Sequence, residues 1–292
     1  MISIKHTFEH FLTHILKNSK LPLWASLILS FFANLQIAYL ILQPTFNSDY
    51  AINLKTLKFI RQAASYTVGL NVYAPPDHKG LYRVLWFVVA TYLVLLTLFT
   101  LNLFWKYHKT LQEAYPRLCR PFAVLFMIHS KIFFCPIHYF MLWSMTTYND
   151  CGSGTDEANV LPFCRPGYFG VSIALFILNL GLAFIKEFFV YHTRQSKDQY
   201  STKNNLYHQT MLLHKLLLVI FIMALTNTET VATVFNFLFS LVYCFNLLRS
   251  LPFYNIYLLK ANLIYASVHL SFSLFVFAVS FNSGQKYLEI LI

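Results

Sequence analysis

Charge is what this chain lacks most: charged residues make up 11% of its 292 positions, and only 11 of them are acidic. Soluble domains carry about 25% charged residues because their surface has to meet water. With 57% apolar residues, a chain this long cannot hide its apolar surface in one soluble core, so lipid is its expected solvent. Glycine is sparse as well, at 8 residues. No Gly-rich phosphate loop, nucleophile elbow, kinase motif set or acyltransferase His-Cys motif occurs. The chain therefore reads as non-enzymatic and calls for no cofactor. It contains no N-glycosylation sequon. The excess of 22 Lys and Arg over 11 Asp and Glu does not indicate nucleic acid, because no basic patch interleaves with a soluble fold. Basic residues fall mostly in loops, where they fix topology and meet anionic lipid heads, so the bilayer itself is the first expected partner.

Long apolar runs dominate what is present. A bilayer core of roughly 30 Å asks about 20 apolar residues of a helix. Runs of that kind cover residues 21–42, 84–105, 122–145, 168–190 and 261–281, with shorter ones at 212–225 and 231–248. The expected fold is an all-α, polytopic membrane bundle of about seven spans, six being possible, with a re-entrant hairpin as the alternative for the two short runs. Oligomers or protein partners would meet it through that bundle. Pro44 is expected to close the first span and Pro136 to kink the third. Residues 1–20 read as an amphipathic interfacial helix. Phe8, Phe11, Leu12, Ile15 and Leu16 lie on one face of it, and His6, His10, His14 and Lys17 on the other. Residues 283–292 read as a short tail.

The positive-inside rule sets the orientation. With the N-terminus in the cytoplasm, fourteen basic residues fall inside (among them Lys106, Arg194, Lys215 and Lys260), seven fall outside, and Lys131 lies in the membrane. That orientation places Cys151 and Cys164 together in an outer loop, where thiols can be oxidised to a disulfide, two free thiols being the alternative. Closing a loop of this size stabilises by about 3 kcal/mol in the chain-entropy view.

Lys131 is the conspicuous intramembrane residue, since a charge in lipid has to face the bundle interior or a counter-ion. On a regular helix Lys131, Cys135 and His138 share a face, and Glu187, near the inner end of the next span, is the nearest obvious carboxylate. These four form the candidate polar cluster. The His6, His10 and His14 spacing suits a metal in principle, but the paired histidine boxes of membrane metalloenzymes are missing, so no metal is expected. The run Thr67-Val68-Gly69-Leu70-Asn71 echoes a potassium-channel filter with Asn71 in place of its second glycine.

The Cys151-to-Cys164 loop, the polar segments Ser196-Lys197-Asp198 and Ser201-Thr202-Lys203, and the later Leu251-Pro252-Phe253-Tyr254-Asn255 together resemble the membrane region of the large multi-pass ciliate proteins that carry a PAS domain downstream, relatives of the tiny-macrocysts regulators. The family's usual Trp after the second cysteine is Arg165 here, and no PAS segment follows. The resemblance implies the membrane module of a sensory or regulatory protein. The competing expectation is a channel or transporter using Lys131, Asn34, Gln36, Asn102 and Asn179. A transporter would set these groups along one water-lined path. A regulatory module would pair them off in packed interfaces.

Overall fold

The computed structural model describes Phe11, Val68 and residues 22–46, 79–110, 116–149, 166–189, 206–224, 229–252 and 255–291, with the end turns of several helices described in backbone only. These residues form α1 (Leu23–Phe46), α2 (Lys79–Thr110), α3 (Pro116–Ile128), a π turn (His129–Phe133), α4 (Phe134–Asn149), α5 (Pro166–Phe189), α6 (Leu206–Ala224), α7 (Glu229–Ser250) and α8 (Ile256–Leu291). Because α3, the π turn and α4 run on as one rod, the described residues make seven rods and no strand. The protein is an all-α polytopic membrane bundle. Among the described residues, six helical stretches are long and apolar enough to cross a bilayer: Leu23–Leu42, Leu81–Lys106, Val124–Met145, Gly167–Ile185, Thr233–Ser250 and Ile256–Ala278.

Several expected boundaries move. The first helix runs two residues past Pro44, α6 starts six residues before Leu212, and residues 283–291 of the expected tail are the end of α8. Of the expected N-terminal helix only Phe11 is described; it is buried, with its ring 5.6 Å edge-on to Phe104 of α2. Cys151, Cys164, the histidines of residues 1–20 and the Thr67–Asn71 run, apart from Val68, lie outside the described residues.

Helices that are apolar all round belong in lipid. On α2, Tyr82, Trp86, Val89, Leu93 and Leu96 turn inward, while Val84, Phe87, Val88, Leu95, Leu98 and Leu101 face outward. Outward hydroxyls make no demand on lipid: Ser267 and Ser271 of α8 donate to the carbonyls four residues back, at 3.0 and 2.9 Å.

The interior divides in two. One half, formed by α2, α3, α4 and α5, is an aromatic and aliphatic core around Trp86, Phe122, Phe126, Phe140 and Leu182. The other half, formed by α1, the π turn, α4, α6, α7 and α8, mixes apolar groups such as Ile37, Leu218 and Leu258 with most of the buried polar side chains. Helix α8 packs along α7 and α1, and α6 touches α1, α4, α5 and α7. Of the α6 side chains described, Leu213 alone is exposed. Helix α6 is therefore an interior helix.

The turn between α7 and α8 is built from Leu251-Pro252 and Asn255. Leu251 has φ 37° and donates its N–H to the Leu247 carbonyl at 3.0 Å, closing α7 with a left-handed cap that ordinarily selects glycine. Asn255 Oδ1 accepts from the Tyr257 and Leu258 N–H groups at 3.0 and 3.2 Å, an N-cap for α8. Leu251→Gly is expected to raise the unfolding midpoint in detergent, with a gain of about 1 kcal/mol from relieved strain.

Candidate functional site

The site is organised by Pro136. A helical carbonyl normally accepts the N–H four residues on, and a π turn uses the fifth. For Ile132 in the first register and for Lys131 in the second, that residue is Pro136, which has no N–H. Side chains from neighbouring helices supply the missing donors. Gln36 Nε2 of α1 donates to the Ile132 carbonyl at 2.6 Å, and Lys215 Nζ of α6 to the Lys131 carbonyl at 3.2 Å. Lys215 also donates to Gln36 Oε1 at 2.9 Å. Asn179 Nδ2 of α5 reaches the Phe134 carbonyl at 3.3 Å, and the Tyr92 hydroxyl of α2 meets His129 Nδ1 at 3.1 Å. Four helices thus converge on one broken rod, with Gln36 and Lys215 linking α1, the π turn and α6.

Of the candidate polar cluster, Lys131, Cys135 and His138 are all buried, and they meet different neighbours, Lys131 lying in the π turn and the other two on α4. Lys131 Nζ lies 3.3 Å from His208 Nδ1 of α6. An ammonium can only donate, so Nδ1 accepts and the ring proton sits on Nε2. Cys135 is a free thiol in the polar half, close to Lys215. His138 faces α5, its ring 4.0 Å from that of Phe176 and 5.1 Å from Phe134, and neither ring nitrogen has a hydrogen bond. Glu187 belongs to α5, but its side chain lies outside the described residues. His138→Phe keeps the stack and removes two buried unpaired nitrogens. It is expected to stabilise the protein by about 1 kcal/mol, seen as a higher melting temperature in detergent.

Lys215 corrects the topology count. It is not a cytoplasmic loop residue: it is 3% exposed on an interior helix. The fourteen-to-seven balance behind the orientation therefore loses one residue from its larger side.

Sequence reasoning also missed a polar lining shared by α1, α6, α7 and α8. Helix α7 turns Thr233, Asn236, Ser240 and Tyr243 inward, and α8 turns Asn262, His269 and Ser273 inward. From α1 come Ser26, Ser30 and Asn34, and from α6 come Tyr207, His214 and Lys215. At one level Asn262 Oδ1 accepts from Ser30 Oγ (3.0 Å) and from the Tyr207 hydroxyl (2.7 Å), which also meets the Tyr243 hydroxyl at 2.8 Å. Farther along, His269 Nε2 lies 3.0 Å from the Asn34 carbonyl, and the Tyr243 ring sits 6.0 Å from both the His269 and the His214 ring. From Thr233 to Tyr243 the α7 stripe rises about 15 Å, half the hydrocarbon thickness. The signal was legible as spacing: 233, 236, 240 and 243 follow the helical three-four repeat. Asn102, by contrast, faces outward from α2.

Among the described residues no group of three or more His, Cys, Asp or Glu side chains could hold a metal. No family model, curated protein or solved structure matches the chain.

Proposed function

We propose that this membrane protein is a non-enzymatic transport module, passing a small polar solute along the interior shared by α1, α6, α7 and α8. The observation behind this reading is the shared polar interior of α1, α6, α7 and α8, whose outward residues are mostly apolar; Lys131, Gln36 and Asn179 themselves are paired off in packed interfaces and do not carry it. Inside a bilayer such a lining is expensive and marks a substrate path. Lys131 and Lys215 beside it make a positive field that repels cations, the device that pores use to exclude them.

The test is stopped-flow light scattering on proteoliposomes with water, urea and glycerol, alongside sodium and potassium flux. Neutral-solute permeability above that of empty liposomes, without cation leak, is expected. Permeability equal to empty liposomes for every solute would contradict the transport reading.

A second reading, a sensory or regulatory module, is favoured by the clamping of the π turn. Gln36, Asn179 and Lys215 each hold one of its carbonyls or that of the adjoining Phe134, so a shift of any of their helices moves the broken rod. The resemblance to the ciliate PAS-linked membrane regions supports the same reading. Both readings keep the N-terminus cytoplasmic and the Cys151–Cys164 disulfide in an outer loop. An impermeant thiol reagent is then expected to label these two cysteines from outside only after reduction. Free labelling from the cytoplasmic face would reverse the orientation.

A further inference from the structure

The lining contains a group of buried polar atoms whose chemistry selects its ligand. Asn34 Nδ2 donates to the Ser30 carbonyl at 2.7 Å. A carbonyl can only accept, so the amide orientation is fixed and Oδ1 is an acceptor. His269 Nε2 faces the Asn34 carbonyl at 3.0 Å, so that nitrogen carries the proton and Nδ1 of the uncharged ring is a bare lone pair. Asn34 Oδ1 and His269 Nδ1 are both buried without a hydrogen bond, as is Ser240 Oγ, while the His214 ring and the Asn236 side chain are buried as partners of each other. These groups are neighbours. His214 hydrogen-bonds with the Asn236 side chain and lies near His269; Ser240 lies one turn from Asn236 on the same face of α7, and the Tyr243 ring is 6.0 Å from each imidazole.

Buried polar atoms are nearly always satisfied, and in hydrocarbon each failure costs several kcal/mol. Two of these acceptors have fixed polarity and need a donor. An anion brings further acceptors and leaves both unmet. A cation is opposed by Lys215, whose charge reaches both His214 and His269. A small neutral molecule with two N–H or O–H groups can satisfy both, with the Ser240 hydroxyl placed to donate back.

We propose that Asn34, His214, Asn236, Ser240 and His269 form an intramembrane binding site for a small uncharged hydrogen-bond donor, of the class of water, urea and short amides. The geometry of the site stands by itself; its meaning as a station on a path rests on the transport reading.

Hydroxyl-radical footprinting of the intact chain in lipid nanodiscs tests it, because radicals born from internal water mark adjacent rings. Tyr243 is fully buried, and so are Phe140 and Met141 in the aromatic half. With the site occupied, Tyr243 is expected to oxidise about tenfold faster than Phe140 and Met141, despite equal burial from bulk water. The Asn34→Leu and His269→Leu double variant is expected to bring Tyr243 down to their rate, with size-exclusion profile and far-UV circular dichroism unchanged. If that variant does not fold, the wild-type comparison still decides. A wild-type Tyr243 no faster than Phe140 overturns the proposal. Footprinting in saturating acetamide assigns the ligand: protection of Tyr243 supports the class with amides included, and unchanged labelling supports it with water as the occupant. Labelled Tyr243 without solute permeability leaves the site standing and ends the transport reading. Permeability with Tyr243 as slow as Phe140 ends the site and leaves the transport reading.

Discussion

Gln36→Leu is expected to destabilise the protein by about 3 kcal/mol, the largest loss of any single neutral substitution in the polar half. One amide serves two buried groups at once. Its nitrogen donates to the Ile132 carbonyl and its oxygen accepts from Lys215. Pro136 denies the Ile132 carbonyl its α-helical donor, so leucine leaves that oxygen unpaired in a low-dielectric interior. It also takes an acceptor from Lys215, which still donates to the Lys131 carbonyl. Interhelical hydrogen bonds in membranes average only about 0.6 kcal/mol when the freed partners find others; a carbonyl next to a proline in a packed π turn has few to find. Gln36→Glu restores the acceptor but not the donor, and a loss of about half the size is expected. Thermal unfolding in detergent, followed by loss of the monodisperse peak, separates the two variants. A cost below about 1 kcal/mol for leucine would mean that the π turn does not depend on α1.

Lys215→Met is expected to admit monovalent cations. A charge about 8 Å from a passing cation raises its energy by about 2 kcal/mol at an effective dielectric near 20, a factor of about 30 in rate. Methionine fills much the same space without the charge. The variant leaves Gln36 Oε1 and the Lys131 carbonyl without this donor, so a modest loss of stability of about 1–2 kcal/mol accompanies the gain of conduction. Potassium flux into proteoliposomes, measured beside urea permeability, reads the effect: potassium rises and urea does not fall. Potassium flux equal to wild type would place the cation barrier elsewhere, with Lys131 the next residue to change.

The spanning helices were legible because length and hydropathy are properties of contiguous residues. The runs at 84–105 and 168–190 needed no partner to be recognised; α2 contains the first, and α5 covers the second through Phe189. Lys131 stood out for the same reason, as a charge within an apolar run. Lys215 did not. It lies near the start of the short 212–225 run, and the α6 turns before it carry Tyr207, His208 and Gln209, which read as loop. Only packing against α1, α4, α5 and α7 makes that polar segment interior. Pro136 signalled a kink, but the π register follows from where the rod must present Lys131 and Ile132 to Gln36 and Lys215. A regular helix puts Lys131, Cys135 and His138 on one face, and the inserted residue ends that alignment. The polar stripes of α7 and α8 were visible as spacing, yet spacing names a face and not the helix it meets.

A transport path requires a bundle that is apolar outside and hydrated inside, and α7 carries both sides. Nitroxide labels at Phe245, 61% exposed, and at Ser240, fully buried, compare them on one helix in one bilayer. The measurement is collision with dissolved oxygen against collision with a water-soluble nickel chelate. High oxygen and low nickel accessibility is expected at position 245, with the ratio shifted toward the polar reagent at position 240. Equal, oxygen-rich ratios at both positions would contradict a hydrated interior, and nickel access at position 245 would contradict the membrane face itself.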